Sequence, residues 1–112
     1  MVDRNLRGQY SEDVVENHLR KRGWSPQVRR WKTPWAEVDG VYVRRGQILL
    51  VEVKSRRSLS HLDRAISRKQ KHRLLRVLEN LVEVYPEKEI LFHLAVVLPS
   101  GRIHWWTDFL AE

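Results

Sequence analysis

Two neighbouring segments rich in Val, Ile, Leu and Tyr constrain the fold more than any other part of the chain. They span residues 37–44 and 47–55, and Arg45-Gly46 between them is suited to a tight turn. The pattern predicts a β-hairpin. The second segment carries an unbroken aliphatic run over residues 48–51, which is typical of an interior strand. We therefore expect the hairpin to lie within a sheet and to be covered by other elements.

The register of this hairpin predicts that two acidic side chains meet. With the turn centred between the segments, Val41 lies opposite Leu50 and Asp39 lies opposite Glu52. Directly opposed like charges destabilise a sheet, so a cation is expected between them. Lys54 shares a face with Glu52 because residues two apart in a strand point the same way. Since Mg²⁺ prefers one or two carboxylates together with water and phosphate oxygens, the arrangement predicts a metal site beside a phosphodiester.

A third acid is predicted to lie on the first helix. Residues 3–22 have a helical pattern in which Glu12, Val15 and Leu19 follow one another at helical spacing and form one stripe. Glu12 is thus an acid aligned with core positions, and it could complete the metal shell or bind a water of that shell. Glu16, one turn further along, is the alternative helix acid.

The remaining segments complete one set of alternating elements. The patterns predict a first strand over residues 24–31, a long second helix over 62–85, a buried strand over 90–98 and a last strand over 102–106. No repeat or linker divides the chain, so residues 1–112 are read as a single domain. The order of helices and strands indicates an α/β or α+β fold around a mixed sheet.

The second helix places a polar amide among apolar side chains. Its predicted apolar face comprises Ile66, Leu74, Val77, Leu78, Leu81 and Tyr85. Gln70 falls in the middle of that face. Buried amides need hydrogen-bond partners, so Gln70 either bonds the sheet backbone or reaches toward the acids of the hairpin.

Charge indicates a polyanionic partner. The chain has 21 Lys and Arg against 14 Asp and Glu, a net charge of +7 and a pI near 10.2. Such a field attracts nucleic acids, although a basic protein without a nucleic-acid role has the same composition. The predicted phosphate-binding positions lie just after the hairpin and along the second helix: Arg56, Arg57, Arg64, Arg68, Lys69, Lys71 and Arg73.

Several classes of protein are excluded by what the sequence lacks. There is no cysteine, so disulfide frameworks, thiolate nucleophiles and cysteine-ligated metals are absent. No apolar run approaches the roughly 20 residues that span a bilayer, and no signal-like stretch begins the chain. Walker loops and serine-hydrolase elbows are also missing. These observations predict a cytoplasmic protein without a membrane partner.

The acidic and basic positions of the hairpin resemble a known signature. Asp39, followed after twelve intervening residues by Glu52-Val53-Lys54, resembles the PD-(D/E)xK motif of the restriction-endonuclease-like superfamily. Together with the patterns over residues 8–23, 37–39 and 50–56, it resembles the YraN-like family of small predicted endonucleases. The chain is also similar to archaeal-type Holliday junction resolvases, which share that fold.

The resemblance implies a restriction-endonuclease-like α/β core, with a mixed central sheet flanked by helices. It implies a Mg²⁺-dependent (or Mn²⁺-dependent) endonuclease that hydrolyses phosphodiester bonds of DNA in repair or recombination. Asp39 and Glu52 would hold the metal, Lys54 would be the catalytic lysine, and Glu12 would be the helix acid. The superfamily often has a Gln or Lys on the second helix near the metal, which favours an active-site position for Gln70, with Lys69 or Lys71 as the alternative equivalents.

Two further readings stay open at this point. The first is a Holliday junction resolvase, which would require a symmetric homodimer to make paired cuts. The second is a non-catalytic nucleic-acid-binding domain that retains the nuclease fold.

Overall fold

The computed structural model describes residues 4–111 and contains five strands and two long helices in that range. The elements in chain order are α1 (Arg4–Arg20), β1 (Ser25–Lys32), β2 (Glu37–Arg44), β3 (Gln47–Ser55), a short 3₁₀ helix (Leu62–Arg64), α2 (Arg68–Val84), β4 (Glu89–Val97) and β5 (Ile103–Trp106). None of the helices in the described range is long and apolar enough to span a membrane.

The five strands form one mixed sheet in the order β1-β2-β3-β4-β5. Neighbouring strands are antiparallel except β3 and β4, which are parallel. A parallel pair needs a crossover connection rather than a hairpin, and α2 supplies it here. The predicted α/β fold with a mixed sheet flanked by helices is confirmed.

The two helices cover opposite faces of the sheet. Val15 of α1 packs in one apolar cluster with Leu49 and Val51 of β3, while Leu74 of α2 packs in a second cluster with Leu50. Side chains alternate along a strand, so the odd-numbered residues of β3 point to α1 and the even-numbered residues point to α2. Any functional side chain of β3 is thereby assigned to one helix or the other.

The predicted hairpin is confirmed with both of its strands and its register. Val41 pairs with Leu50, and Gly46 in the turn adopts a left-handed φ of 74°. At the end of the hairpin away from the turn, the last paired residues are Gly40 and Val51. The regular ladder therefore ends just before the two acids that the register brings together.

The predicted start of the second helix at residue 62 is wrong. The helical conformation is interrupted after the short 3₁₀ helix, and α2 begins only at Arg68. Ser67 has extended φ and ψ of −70° and 157°, and its hydroxyl accepts a hydrogen bond from the Gln70 N–H at 3.1 Å, as a helix N-cap does. Tyr85 ends the helix and is 40% exposed, so it does not belong to the buried face either.

The other predicted boundaries agree with the structure to within about two residues. Helix α1 ends at Arg20, and Gly23 follows it with a φ of 87° that favours glycine. The predicted first residue of this helix, Asp3, lies outside the described residues. Strands β1 and β4 are shifted from the predicted ranges by one residue at both ends, and β5 begins one residue later than predicted.

Candidate active site

Asp39 and Glu52 are interlocked where the ladder between β2 and β3 stops. The Asp39 N–H donates to the Glu52 Oε1 at 3.3 Å, and the Val53 N–H donates to the Asp39 Oδ2 at 2.8 Å. Side-chain oxygens thus accept bonds that strand carbonyls accept elsewhere in the sheet. The predicted register does bring the two carboxylates together, and a backbone N–H fixes each of them.

Helix α2 adds a third polar group to this pair. The Gln70 Nε2 donates to the Glu52 Oε2 at 3.0 Å. The Ser67 cap holds the first turn of α2 and so fixes the position from which Gln70 reaches the sheet. Lys69 is exposed, and the Lys71 Nζ lies 5.3 Å from the centre of the Trp106 ring. Of the three polar residues considered for this role, Gln70 is the one placed on the acid pair.

Burial and repulsion make Glu52 an unusual acid. Its side chain is 3% exposed. The pKa of Glu52 is raised from 4.5 to about 8, chiefly by burial and also by the negative charge of Asp39, while the positive charge of Lys54 opposes both effects. Lys54 is half-buried and shares the α2-facing side of β3 with Glu52. Two acids and one amine thus leave the site short of positive charge.

These residues fit a hard divalent cation in the chemistry of their donors. Asp39 and Glu52 offer carboxylate oxygens, and the shortage of positive charge between them is what a divalent ion would correct. Across residues 4–111 no group of three or more His, Asp or Glu side chains is arranged to hold a metal. The fit is therefore to an ion with two protein carboxylates, which completes its shell with water and substrate oxygens.

The helix acid does not join the pair. Glu12 is buried, but its carboxylate contacts the Arg30 Nε at 3.4 Å and the Arg30 Nη2 at 3.5 Å. Glu16 contacts Arg20 at 3.2 Å and Arg29 at 3.4 Å. Both acids belong to the helix that covers the face opposite α2. The predicted shell of three carboxylates is not formed, because arginines of β1 and α1 neutralise these helix acids.

The predicted phosphate-binding residues surround the end of β3 and the start of α2. Arg56 and Arg57 follow Lys54 closely, and the others lie on the 3₁₀ helix and the first two turns of α2. All seven are exposed except Lys71, which is half-buried against Trp106. Within the described part of the chain none of the seven forms an ion pair with an acid.

The sequence reading missed two contributors to this site. The Val53 N–H orients Asp39, and no sequence signal marks a backbone donor of this kind. Ser67 was also missed, although Ser67-Arg68-Lys69-Gln70 has the spacing of a capping box, which marks a helix start. Here the glutamine side chain bonds Glu52 instead of the cap backbone.

A solved structure has the same fold. The repair endonuclease from Pyrococcus abyssi superposes with a TM-score of 0.55 over 88% of this chain, at 16% sequence identity. The match supports a restriction-endonuclease-like fold. This chain spans 40% of the length of that endonuclease.

Sequence comparisons identify the family. The model of the uncharacterised protein family UPF0102 matches residues 11–98. A UPF0102 protein from Nitrobacter winogradskyi is 38% identical over 73% of this chain and 70% of its own length. A UPF0102 protein from Prochlorococcus marinus strain MIT 9313 is 36% identical over 95% of this chain and 90% of its own length. The resemblance to the YraN-like family is confirmed, and the chain belongs to the family UPF0102.

Proposed function

We propose that this protein is a metal-dependent endonuclease that hydrolyses phosphodiester bonds of DNA, with Mg²⁺ or Mn²⁺ as its ion. The observation that carries the proposal is the interlocked pair of Asp39 and Glu52 beside Lys54. A buried acid with a raised pKa, held next to a second acid, is costly for folding and is typical of a functional site. The fold of the repair endonuclease supports the same reaction class.

Asp39 and Glu52 would hold the ion. An ion at this position would polarise the scissile phosphate and lower the pKa of the attacking water. Each acid is already oriented without it, since the Val53 N–H holds Asp39 and Gln70 holds Glu52. Preorganised ligands need little rearrangement when the substrate arrives.

Lys54 would act on the phosphate rather than on the ion. Its ammonium group follows Glu52 on the same face of β3, beside the position where the phosphate must lie to share the ion. A positive charge there stabilises the negative charge that grows on the phosphate oxygens in the transition state. Gln70 is a positioning residue, because it contacts Glu52 and reaches the ion only through that carboxylate.

The exposed cations supply binding rather than chemistry. Arginine and lysine contacts to phosphates fix the position of a nucleic acid but read little of its sequence. The cations around β3 and α2 are not neutralised by acids in the described range, so they are available for such contacts. We therefore propose DNA as the substrate, selected by its structure rather than by its base sequence.

Purified protein should cut one or more members of a panel of branched, nicked and linear DNA when Mg²⁺ or Mn²⁺ is added. Asp39→Asn should abolish cutting and leave DNA binding in EDTA intact or tighter, because one negative charge is removed. Glu79→Gln, which removes an exposed acid of α2, is the matched control and should cut like the wild type. Absence of cleavage across the panel would overturn the proposal and favour a nucleic-acid-binding module.

Calorimetric titration with Mn²⁺ tests the metal site without any DNA. Wild type and Glu79→Gln should release or absorb the same heat, and Asp39→Ala should show none. If the wild type and Asp39→Ala give equal signals, the acid pair does not bind the ion.

A further inference from the structure

A cavity of about 460 Å³ lies at the edge of the sheet where the parallel strands β3 and β4 end. This edge is where open α/β sheets bind their ligands. Residues of α1 and of both strand ends line the cavity, and its size is that of a small-ligand pocket. None of the residues assigned to the acid pair takes part in it, so it is a separate site.

The polar lining of the cavity is selective for anions. Arg56 and Arg57 contribute two guanidinium groups, and no acidic side chain lines the cavity in the described part of the chain. The Arg56 Nη1 donates to the Ser55 carbonyl at 2.7 Å, which anchors this side chain while its other donors remain. Arg57 forms no hydrogen bond or ion pair with the described residues. Planar guanidinium groups suit phosphate oxygens.

Two hydroxyl groups also line the cavity, one from α1 and one from the end of β3. The Ser11 Oγ and the Ser55 Oγ form a hydrogen bond that joins α1 to the end of β3. One hydrogen serves this bond, so the second hydroxyl keeps its hydrogen for a ligand. Ser11 is almost fully buried, and the bond to Ser55 satisfies its hydroxyl there.

Apolar groups also line the cavity. They include Pro99 and the ring of Tyr10, which is 52% exposed. An exposed aromatic ring is what an unpaired base stacks on. The cavity thus offers a phosphate side and a base side, the two halves of a nucleotide.

The position of the cavity relative to the acid pair indicates whether the bound nucleotide belongs to a paired or an unpaired DNA strand. Ser55 follows Glu52 by three residues, about 10 Å along the strand. Glu52 and Lys54 face α2, whereas Ser55 faces α1. A DNA strand that runs from the acid pair to the cavity must bend around the end of β3. Unpaired DNA can bend in this way, whereas a rigid duplex cannot.

We propose that this cavity binds one unpaired nucleotide of the DNA strand, with its phosphate on Arg56 and Arg57 and its base on Tyr10. The inference rests on the proposed endonuclease activity and deepens it, because it names the substrate class as DNA with unpaired nucleotides next to the cleavage site.

Binding in EDTA tests the inference without cleavage. Fluorescence anisotropy would compare a duplex that carries a single-stranded overhang with a blunt duplex of the same total number of nucleotides. The wild type should bind the overhang substrate about tenfold more tightly, since one stacked base and its phosphate are added. Equal affinities would overturn the inference.

Two pairs of variants locate the preference. Arg57→Ala should reduce the affinity ratio of overhang to blunt duplex toward one, while Arg45→Ala, which removes the same charge at the hairpin turn, should leave the ratio unchanged. Tyr10→Ala should lower the ratio about fivefold, and Tyr10→Phe should keep it because the ring remains. If Arg45→Ala lowers the ratio as much as Arg57→Ala does, the preference reflects general charge and the cavity is not the site.

Free deoxyadenosine monophosphate distinguishes a nucleotide in a strand from a free nucleotide. It should compete weakly, at millimolar concentration, because it lacks the neighbouring phosphates that bind the exposed cations. Competition at micromolar concentration would overturn the inference and assign the cavity to a free nucleotide. A protein that cuts DNA without an overhang preference refutes only this inference, and one that shows the preference without cutting refutes only the proposed activity.

Discussion

Glu12 and Glu52 are both buried acids that the sequence marks as candidates for one site, but the two faces of the sheet treat them differently. Glu12 is 8% exposed and faces Arg30, and its neighbours on α1 are likewise paired with arginines. Glu52 is 3% exposed and faces a second acid and an amide, with Lys54 as its nearby cation.

The comparison separates acids that the fold neutralises from acids that it leaves in need of a cation. An acid that is paired with an arginine stabilises the fold only modestly when the arginine is half-exposed, as Arg30 is. An acid buried against another acid costs stability in its charged form, and a bound proton or metal ion offsets that cost. The acids of α1 therefore have a structural role, and the acid pair beside α2 has the features of a reactive site.

The largest expected effect is on cleavage. Glu52→Gln should lower the rate of DNA cutting by roughly 10³-fold or more, because the ion loses one of two protein ligands at the reacting phosphate. Glu12→Gln should lower it by less than about tenfold, because that acid lies with Arg30. Single-turnover rates with saturating Mg²⁺ measure both. Equal losses of cleavage rate in the two variants would mean that Glu12 also acts at the reacting site.

The second effect is on folding stability and depends on pH. The pKa of Glu52 is raised from 4.5 to about 8 in the folded protein, chiefly by burial, so the folded state holds a proton that the unfolded state releases in this range. Stability is therefore lost as pH rises from about 4.5 to about 8. Glu52→Gln should be more stable than the wild type in EDTA by on the order of 2–4 kcal/mol at pH 9 and should lose this advantage at pH 4.

Urea denaturation at several pH values measures this difference, and the second acid supplies the control. Glu12→Gln should be destabilised, by about 1 kcal/mol or less, because it weakens contact with a half-exposed arginine. Mn²⁺ should narrow the gap between the wild type and Glu52→Gln at pH 9, since the ion binds the folded wild type. A gap that is constant from pH 4 to pH 9 would contradict the raised pKa.

The third effect concerns the group that orients Glu52. Gln70→Ala should weaken Mn²⁺ binding and cleavage by about 10–100-fold, as removal of a residue that positions a metal ligand commonly does. Lys69→Ala, the neighbouring exposed residue, should leave Mn²⁺ affinity unchanged. Calorimetry gives both affinities. If Lys69→Ala has the larger effect on Mn²⁺ binding, the lysine and not the amide supports the site.

Much of the fold could be predicted because its signals are local. The alternation and the turn at Gly46 define the hairpin, and the aliphatic content of β3 places it inside the sheet. The break before α2 is not predicted, because the apolar spacing continues through Ile66 into the helix. Periodicity alone therefore predicts a helix that begins at residue 62. The Ser67 cap was the competing local signal.

The site could be predicted in part, for the same reason. Register and alternation bring Asp39, Glu52 and Lys54 together, since both are properties of one hairpin. The placement of Glu12 was not accessible, because it depends on which face α1 covers and on an arginine of β1. Arg30 adopts a positive φ of 54°, which is uncommon outside glycine, and no local pattern indicates it.

The smallest expected effect tests whether surface arginines also differ between those beside α1, where acids neutralise them, and those of α2, which have no acidic partner in the described part of the chain. Arg68 forms no ion pair within residues 4–111, whereas the Arg29 Nη2 contacts Asp13 at 2.7 Å and Glu16 at 3.4 Å. If Arg68 contacts a phosphate, Arg68→Ala should reduce the slope of log K against log salt by about 0.9. Arg29→Ala should leave the slope unchanged, because its charge is already neutralised by acids of α1. Anisotropy titrations from low to physiological salt measure the slopes. Equal reductions would mean that DNA also contacts Arg29, and that the acids of α1 do not keep this arginine from the phosphates.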